Sequence, residues 1–176
     1  MRFIHITIVL FLMFSFNKNE TIIIKGLSVG DKIPSFSLTD DKGHSFDSKD
    51  YKDKQCLILF FFKHESRPTC NDDICNFRDS FNEFSNLNAK IAGISSDYVT
   101  TLNNYSLHNK INYSLLSDHK KRVRKLFGFK KSLLKSNTSK VVYIVNKKGE
   151  ILYIFNSHKE VQENETQILN ALNLNK

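Results

Sequence analysis

Seven consecutive apolar residues, Cys56 to Phe62, give way to a polar stretch, Lys63 to Thr69, and then to a spaced apolar pattern. The run is long enough for a strand buried on both faces and too short for most helices. Beyond Cys70, residues Ile74, Phe77, Phe81 and Phe84 recur at spacings of three and four. That is the stripe of an amphipathic helix lying on a sheet. Thr69 or Asn71 suits the cap of its first turn, and Asp72 and Asp73 suit the positive end of its dipole. Cys70 therefore falls where a strand ends and a helix begins.

The rest of the chain alternates in the same way. Thr21 to Lys25 reads as a short strand, and Pro34–Leu38 with His44–Phe46 as a hairpin across Asp40 to Gly43. Lys90 to Ser95 is the next predicted strand, followed by a helix capped by Asp97 and ending near Asn109. A short strand, Tyr113 to Leu116, leads into a basic helix capped by Ser117 or Asp118 and stopped at Gly128. Val123, Leu126 and Phe127 form its expected buried face, while Lys120, Lys121, Arg122, Arg124 and Lys125 are expected to be solvated. Lys130 to Lys140 is a polar loop. Val141–Val145 and Ile151–Phe155 flank the turn sequence Asn146 to Glu150, a hairpin signal. A last helix, about Lys159 to Leu172, turns Val161, Ile168 and Leu172 toward the sheet. Strands alternating with helices give an α/β sandwich.

Composition changes this picture little. A chain of 176 residues with 40% hydrophobic residues and no internal repeat or long linker fits one compact domain. The net charge of +8 invites a nucleic-acid reading, but the lysines are dispersed and no nucleic-acid motif accompanies them. The N-terminus stands apart. Arg2 precedes an apolar run, Ile4 to Phe16, of about 13 residues, broken by His5, Thr7 and Ser15. This is short for a membrane span and suits the core of a signal peptide, with an uncleaved anchor as the alternative. The chain thus divides into a signal peptide or anchor at 1–17, a linker or strand at 18–27 and a domain at 28–176. The expected location is the secretory pathway or an organelle derived from it.

The three cysteines carry the candidate chemistry. Free backbone N–H groups and the dipole at a helix N-terminus stabilise a thiolate at Cys70, with Arg67 and Arg78 adding to the field. Cys75 lies five residues on. In an intact helix that step separates the Cα atoms by roughly 8–9 Å, whereas a disulfide needs less than about 7 Å. Bridging requires the first turn to unwind, which suits a working redox pair. Buried cysteines are nonetheless common and mostly inert, and Cys56, inside the apolar run, is expected to be one. A zinc site built from both thiols and His64 falls short in ligand count.

The segment FFFKHESRPTCNDDICNFRDSF resembles the active-site segment of the peroxiredoxins, in particular the bacterioferritin-comigratory (peroxiredoxin Q) subfamily. VGDKIPSFSLTDDKGHSF upstream, and IAGISSDYV, YSLLSDHKKRVRKLFGF and VVYIVNKKGEIL downstream, resemble its other segments in order, so the likeness spans roughly residues 28 to 174. It implies a thioredoxin-like α/β fold with a central mixed sheet flanked by helices. It also implies a thiol peroxidase for hydrogen peroxide and organic hydroperoxides that needs no metal or organic cofactor. Cys70 would be the peroxidatic cysteine and Cys75 the resolving one, joined as a Cys70–Cys75 disulfide and recycled by a thioredoxin-like reductant. The expected protein is a monomer or weak homodimer without nucleic-acid partners and without stable membrane association after signal cleavage.

Three positions depart from the family pattern. Lys63 stands where the family carries proline, Arg67 where it carries threonine, and Lys140 where it carries arginine. Ser66 or Thr69 is left to supply the hydroxyl. Arg67, Thr69 and Lys140 therefore join Cys70 and Cys75 as candidate site residues. Two other functions fit the altered shell: a thiol–disulfide oxidoreductase passing its disulfide to client proteins, and a catalytically weakened binding protein on the same fold.

Overall fold

The computed structural model describes residues 26–63, 72–129, 141–155, 163 and 165–174. Its strands are β1 (Ser37–Asp40), β2 (Ser45–Asp47), β3 (Cys56–Phe62), β4 (Ala89–Ser95), β5 (Ser114–Ser117), β6 (Val141–Val145) and β7 (Ile151–Phe155). They form one sheet in the order β2-β1-β5-β4-β3-β6-β7. The helices are α1 (Asp72–Asp79), α2 (Phe81–Asn86), α3 (Val99–His108), α4 (Arg122–Leu126) and α5 (Glu165–Leu174). The expected central mixed sheet flanked by helices is present.

The apolar run explains the position of β3. All seven of its residues are buried, and alternate side chains enter different cores. Cys56, Ile58, Phe60 and Phe62 join Ile74, Phe77, Phe84, Leu102, Ile168 and Leu172, which come from α1, α2, α3 and α5. Leu57, Leu59 and Phe61 join Val123 and Phe127 on the opposite face, with Phe36 and Phe46 from the first hairpin. A strand with a core on each side has no polar positions to spare, and each fully buried aromatic or aliphatic side chain contributes about 1.5–3 kcal/mol. β3 pairs in parallel with β4 and β4 with β5, whereas β6 runs antiparallel to β3. The two parallel crossovers carry α1–α2 and α3 over one face. The return to β6 carries α4 under the other.

Gly93 shows how tightly the first core is filled. The register sets it beside Phe60, and a Cβ at this position would lie 2.7 Å from Phe60 Cζ and 3.0 Å from Phe62 Cε1. Lack of a side chain on β4 leaves the space that these two rings occupy.

Several boundaries differ from the sequence reading. The single helix expected after Cys70 is two, separated at Ser80, whose φ −85° and ψ 7° open the turn. The Phe84 N–H reaches Ser80 O only at 3.4 Å there. Ile74, Phe77 and Phe84 are buried as expected, but Phe81 is half-buried. β1 extends to Asp40, whose Oδ1 accepts from Lys42 N and His44 N and so closes the hairpin. Asp97 does not cap α3; its carboxylate takes the Ser95 hydroxyl, and Tyr98 occupies the cap position without a side-chain bond. α5 continues two residues past the expected Leu172. On α4, Leu126 is 51% exposed and Arg124 is 4% exposed, the reverse of the expectation. The predicted strand at Thr21–Lys25, the loop at Lys130–Lys140, Val161 and the segment 1–17 lie outside the described residues.

Candidate active site

The parallel strands β3, β4 and β5 all deliver their C-terminal ends to one edge of the sheet. β3 ends at Phe62, opposite Ser95 of β4, and ten residues later the chain enters α1 at Asp72. Two buried side chains seat this helix, Ile74 and Phe77. Phe77 stacks on Phe60 with ring centroids 4.8 Å apart at 18°, and the buried Tyr113 hydroxyl donates to Ile74 O at 2.7 Å. Cys75 lies between these anchors and is half-buried. Its position is therefore fixed by core packing on either side.

The charges around this edge differ from the sequence reading. Arg78, expected to add to the field at Cys70, is engaged elsewhere. Its Nε and Nη2 donate to the Asp79 carboxylate at 2.8 and 3.2 Å, and its Nη1 donates to Asn109 O at 2.9 Å. The Arg78 hydrogen bond holds the Asp79 carboxyl below its ordinary pKa. Arg124 comes instead to the strand end. Its Nη2 donates to Phe62 O at 2.5 Å, and its guanidinium lies 5.6 Å from the Phe61 ring centroid and 5.8 Å from that of Phe129. Burial lowers the Arg124 pKa, while the nearby Asp118 and Asp97 carboxylates act the other way. Arginine begins so far above neutrality that the side chain stays charged.

The base of α4 is built to hold this arginine. Lys121 precedes the helix in a left-handed conformation and offers no side-chain cap. Asp118 does the capping from farther back, accepting from Val123 N at 3.2 Å and Arg124 N at 2.9 Å. Asp118 is itself tied to the sheet edge by its N–H to Ser95 O, 2.6 Å. The Ser117 hydroxyl donates to Asp97 O at 2.6 Å. Among the described residues, Arg124 Nε is the one buried side-chain nitrogen or oxygen without a hydrogen-bond partner. Such a group ordinarily costs about 1–3 kcal/mol.

The sequence reading missed Arg124, and the helical period shows why. At about 100° per residue, Arg124 and Leu126 lie equally far on either side of the line through Val123 and Phe127. Hydropathy chose leucine for the interior. The usable signal was the length of the arginine stem, which lets a side chain at the margin reach the strand end.

Of the predicted site residues, Cys75 is the one described. Cys70, Arg67, Thr69 and Lys140 lie outside the described residues, as do His64 and Ser66. Lys63, directly after β3, is exposed. Cys56 is 1% exposed and a free thiol. Burial raises its pKa, against the weaker influence of Lys147, which fits the inert role expected of it. No group of three metal-ligating side chains occurs among the described residues, and no described helix is long and apolar enough to cross a membrane. A pocket of about 180 Å³ that includes Lys49, Tyr51, Gln55 and Lys147 lies near the opposite, N-terminal end of β3 and away from Cys75.

Comparison with known proteins agrees with this architecture. Residues 29–154 match the AhpC/TSA family. Peroxiredoxin Q, chloroplastic, of Arabidopsis thaliana is 29% identical over 151 residues, covering 86% of this chain and 69% of that protein. The Oryza sativa subsp. japonica protein of the same name is 27% identical over 146 residues, covering 83% and 67%. Among solved structures, peroxidoxin BcpB from Mycobacterium tuberculosis superposes with a TM-score of 0.71 at 25% identity, over 85% of this chain and 99% of that one. A Xanthomonas campestris peroxiredoxin Q at 20% identity and TM-score 0.64, covering 78% of this chain and 89% of that one, shares the fold. With the family match covering most of the chain and the strand–helix unit around Cys75 in place, the chain belongs to the AhpC/TSA family: it is a peroxiredoxin, a thiol peroxidase on the thioredoxin-like fold.

Proposed function

We propose that Cys70 is the peroxidatic cysteine and Cys75 the resolving cysteine, and that the substrates are hydrogen peroxide and organic hydroperoxides. The Cys70 thiolate attacks one peroxide oxygen, the O–O bond breaks, and the departing oxygen takes a proton to leave as water or an alcohol. Cys70 becomes a sulfenic acid. The Cys75 thiol then displaces hydroxide, which leaves as water, and the Cys70–Cys75 disulfide forms. A thioredoxin-like dithiol reduces it and is oxidised in turn. Arg67, Thr69 and Lys140 line the reacting centre in this reading, with Thr69 or Ser66 supplying the hydroxyl and the two cations supporting the thiolate.

The observation that carries the reading is the seat of Cys75. Cys56 is free and buried, whereas Cys75 is half-buried on α1, between the buried Ile74 and Phe77, a few residues after Cys70 in the sequence. Reduced Cys75→Ser protein should consume one equivalent of peroxide and stop with one oxygen atom added at Cys70, as read by peptide mass. Recovery of that oxygen on Cys56, or its absence, would overturn the assignment. Turnover with a thioredoxin as donor tests the reductant; a donor-independent rate would remove it from the cycle.

Residues 1–17 precede the family-matched region, and we assign them to targeting, as a secretory signal peptide or anchor. Residues 28–176 form the catalytic domain, acting as a monomer or weak homodimer. Sequencing the N-terminus of native protein tests the first point. A start near residues 16 to 20 is expected, and an intact Met1 on a soluble cytosolic species would contradict it.

A further inference from the structure

Five lysines that are far apart in the sequence meet at one cavity. Lys32 before β1, Lys49 and Lys52 after β2, and Lys147 and Lys148 between β6 and β7 all line the pocket of about 180 Å³ near the N-terminal end of β3. No described carboxylate lines it. Those nearby in the chain are engaged with the turns around it: Asp31 accepts from Ser28 N at 2.8 Å and Asp47 from Lys49 N at 2.9 Å. Glu150 pairs across from Lys32, but its carboxylate accepts from Asn146 Nδ2 at 3.0 Å. The described ion pairs lie elsewhere, at His44–Asp40 and Arg78–Asp79. Like charges gathered on one wall repel each other, and a cleft lined by a single sign of charge concentrates the opposite ion.

The walls of the cavity are already assembled. Asp53 N donates to Lys147 O at 2.8 Å and Ile33 N to Gly149 O at 2.9 Å, which tie the segments carrying Lys52 and Lys32 to the turn carrying Lys147 and Lys148. Buried Leu57 and half-buried Tyr51 contribute apolar lining, and the Tyr51 ring is held by stacking on Phe46 with centroids 4.8 Å apart. Burial, followed by the Asp50 and Asp40 charges, raises the Tyr51 phenol pKa, so this residue adds no negative charge at neutral pH. A preorganised site loses little freedom on binding, and lysine binds phosphate as a point charge with three donors. We propose that this cavity is a binding site for an oligophosphate chain, free or carried by a nucleotide. Five cations exceed what a single phosphate neutralises, whereas a chain of phosphates spreads several charges along one ligand. The length of β3 puts roughly 20 Å between this end of the strand and the end that leads toward the redox helix. The site is thus separate from the thiol chemistry, and the proposal does not depend on the assignment of Cys70.

The test is isothermal titration calorimetry of the full chain with sodium tripolyphosphate and with adenosine triphosphate, at a constant ionic strength of about 0.15 M. Saturable binding at one site per chain is expected. Equal affinity for the two probes would make the phosphate chain itself the ligand, and tighter binding of the second would make it a nucleotide; either supports the site. Two double variants remove the same net charge: Lys49→Gln with Lys148→Gln at the cavity, and Lys120→Gln with Lys125→Gln near α4, all four side chains being exposed. The cavity pair should weaken binding about tenfold or more, and the α4 pair should leave it within about twofold because distant charges are screened. Amide chemical shifts should move at Lys49, Tyr51 and Lys147 to Gly149 as tripolyphosphate is added. Absence of saturable binding would overturn the proposal. So would equal weakening by both pairs, the signature of net charge alone, or shifts centred on α4. If the cavity pair does not fold, Lys32→Gln with Lys52→Gln, also exposed, replaces it with the same expected and contradicting results.

Discussion

Replacing Gly93 by alanine adds one methyl group at the centre of the core that seats the redox helix. The new Cβ would stand 2.7 Å from Phe60 Cζ, well inside van der Waals contact, and the group it meets is a ring rather than the tip of a flexible chain. Phe60 has little room to retreat. Phe77 stacks on it at 4.8 Å, Phe62 lies 5.6 Å away on the same face, and Tyr113 meets it edge-on at 5.8 Å. The backbone of Gly93 is not in the left-handed region, so the cost is overpacking, about 1–3 kcal/mol. Equilibrium urea unfolding should show the midpoint falling with the slope unchanged, and the melting temperature should drop by about 2–4 °C per kcal/mol. Because the displaced ring bears on Phe77, Cys75 in the reduced protein should also alkylate faster than in wild type. Phe60→Leu in the same chain should relieve the clash, making the double variant less destabilised than the sum of the two singles by about 0.5–3 kcal/mol. A loss below about 0.5 kcal/mol, the range of surface substitutions, would show that the core yields more readily than its ring contacts indicate.

Other outcomes follow from the same geometry. Cys56, with its pKa raised by burial, should resist iodoacetamide at pH 8 in the folded protein and react once it unfolds; rapid labelling of the native state would contradict its burial. The Asp79 carboxyl, lowered by Arg78, should titrate below its ordinary value by NMR. Its contribution to stability is complete above the unfolded-state pKa and disappears as pH falls through the folded-state value, so an ordinary midpoint would mean that the pair does not persist in solution. Arg67→Thr should raise the rate with peroxide while reducing the thiolate fraction, because aligned hydrogen bonds at a transition state outweigh a general cation. A fall in both quantities would make Arg67 a catalytic group in its own right.

The parts of this protein legible in its sequence are those where one physical preference dominates. Cys56 to Phe62 has no polar residue to place, so two-sided burial was the only economical reading, and β3 obeys it. Ile74, Phe77 and Phe84 follow the helical period, and they are buried. Errors arose where two preferences compete. Asp97 is a good cap by type, but the hydroxyl of Ser95 two residues earlier takes its carboxylate. Arg124 and Leu126 have equal helical claims on the interior of α4, and the winner was decided by Phe62 O, which no local window contains. Of the candidate site, the helix that carries Cys75 after a buried strand was legible. The arginine at the strand end was not, because its partner lies 62 residues away in the chain.

The central claim is that Cys70 reacts first and Cys75 second. Stopped-flow mixing of the reduced protein with hydrogen peroxide, followed by intact mass at each phase, tests it most directly. Wild type should show a peroxide-dependent first phase and a peroxide-independent second phase ending in the disulfide. Cys75→Ser should keep the first phase and lose the second, and Cys70→Ser should lose both. A first phase that survives in Cys70→Ser, or that disappears equally in both variants, would contradict the account.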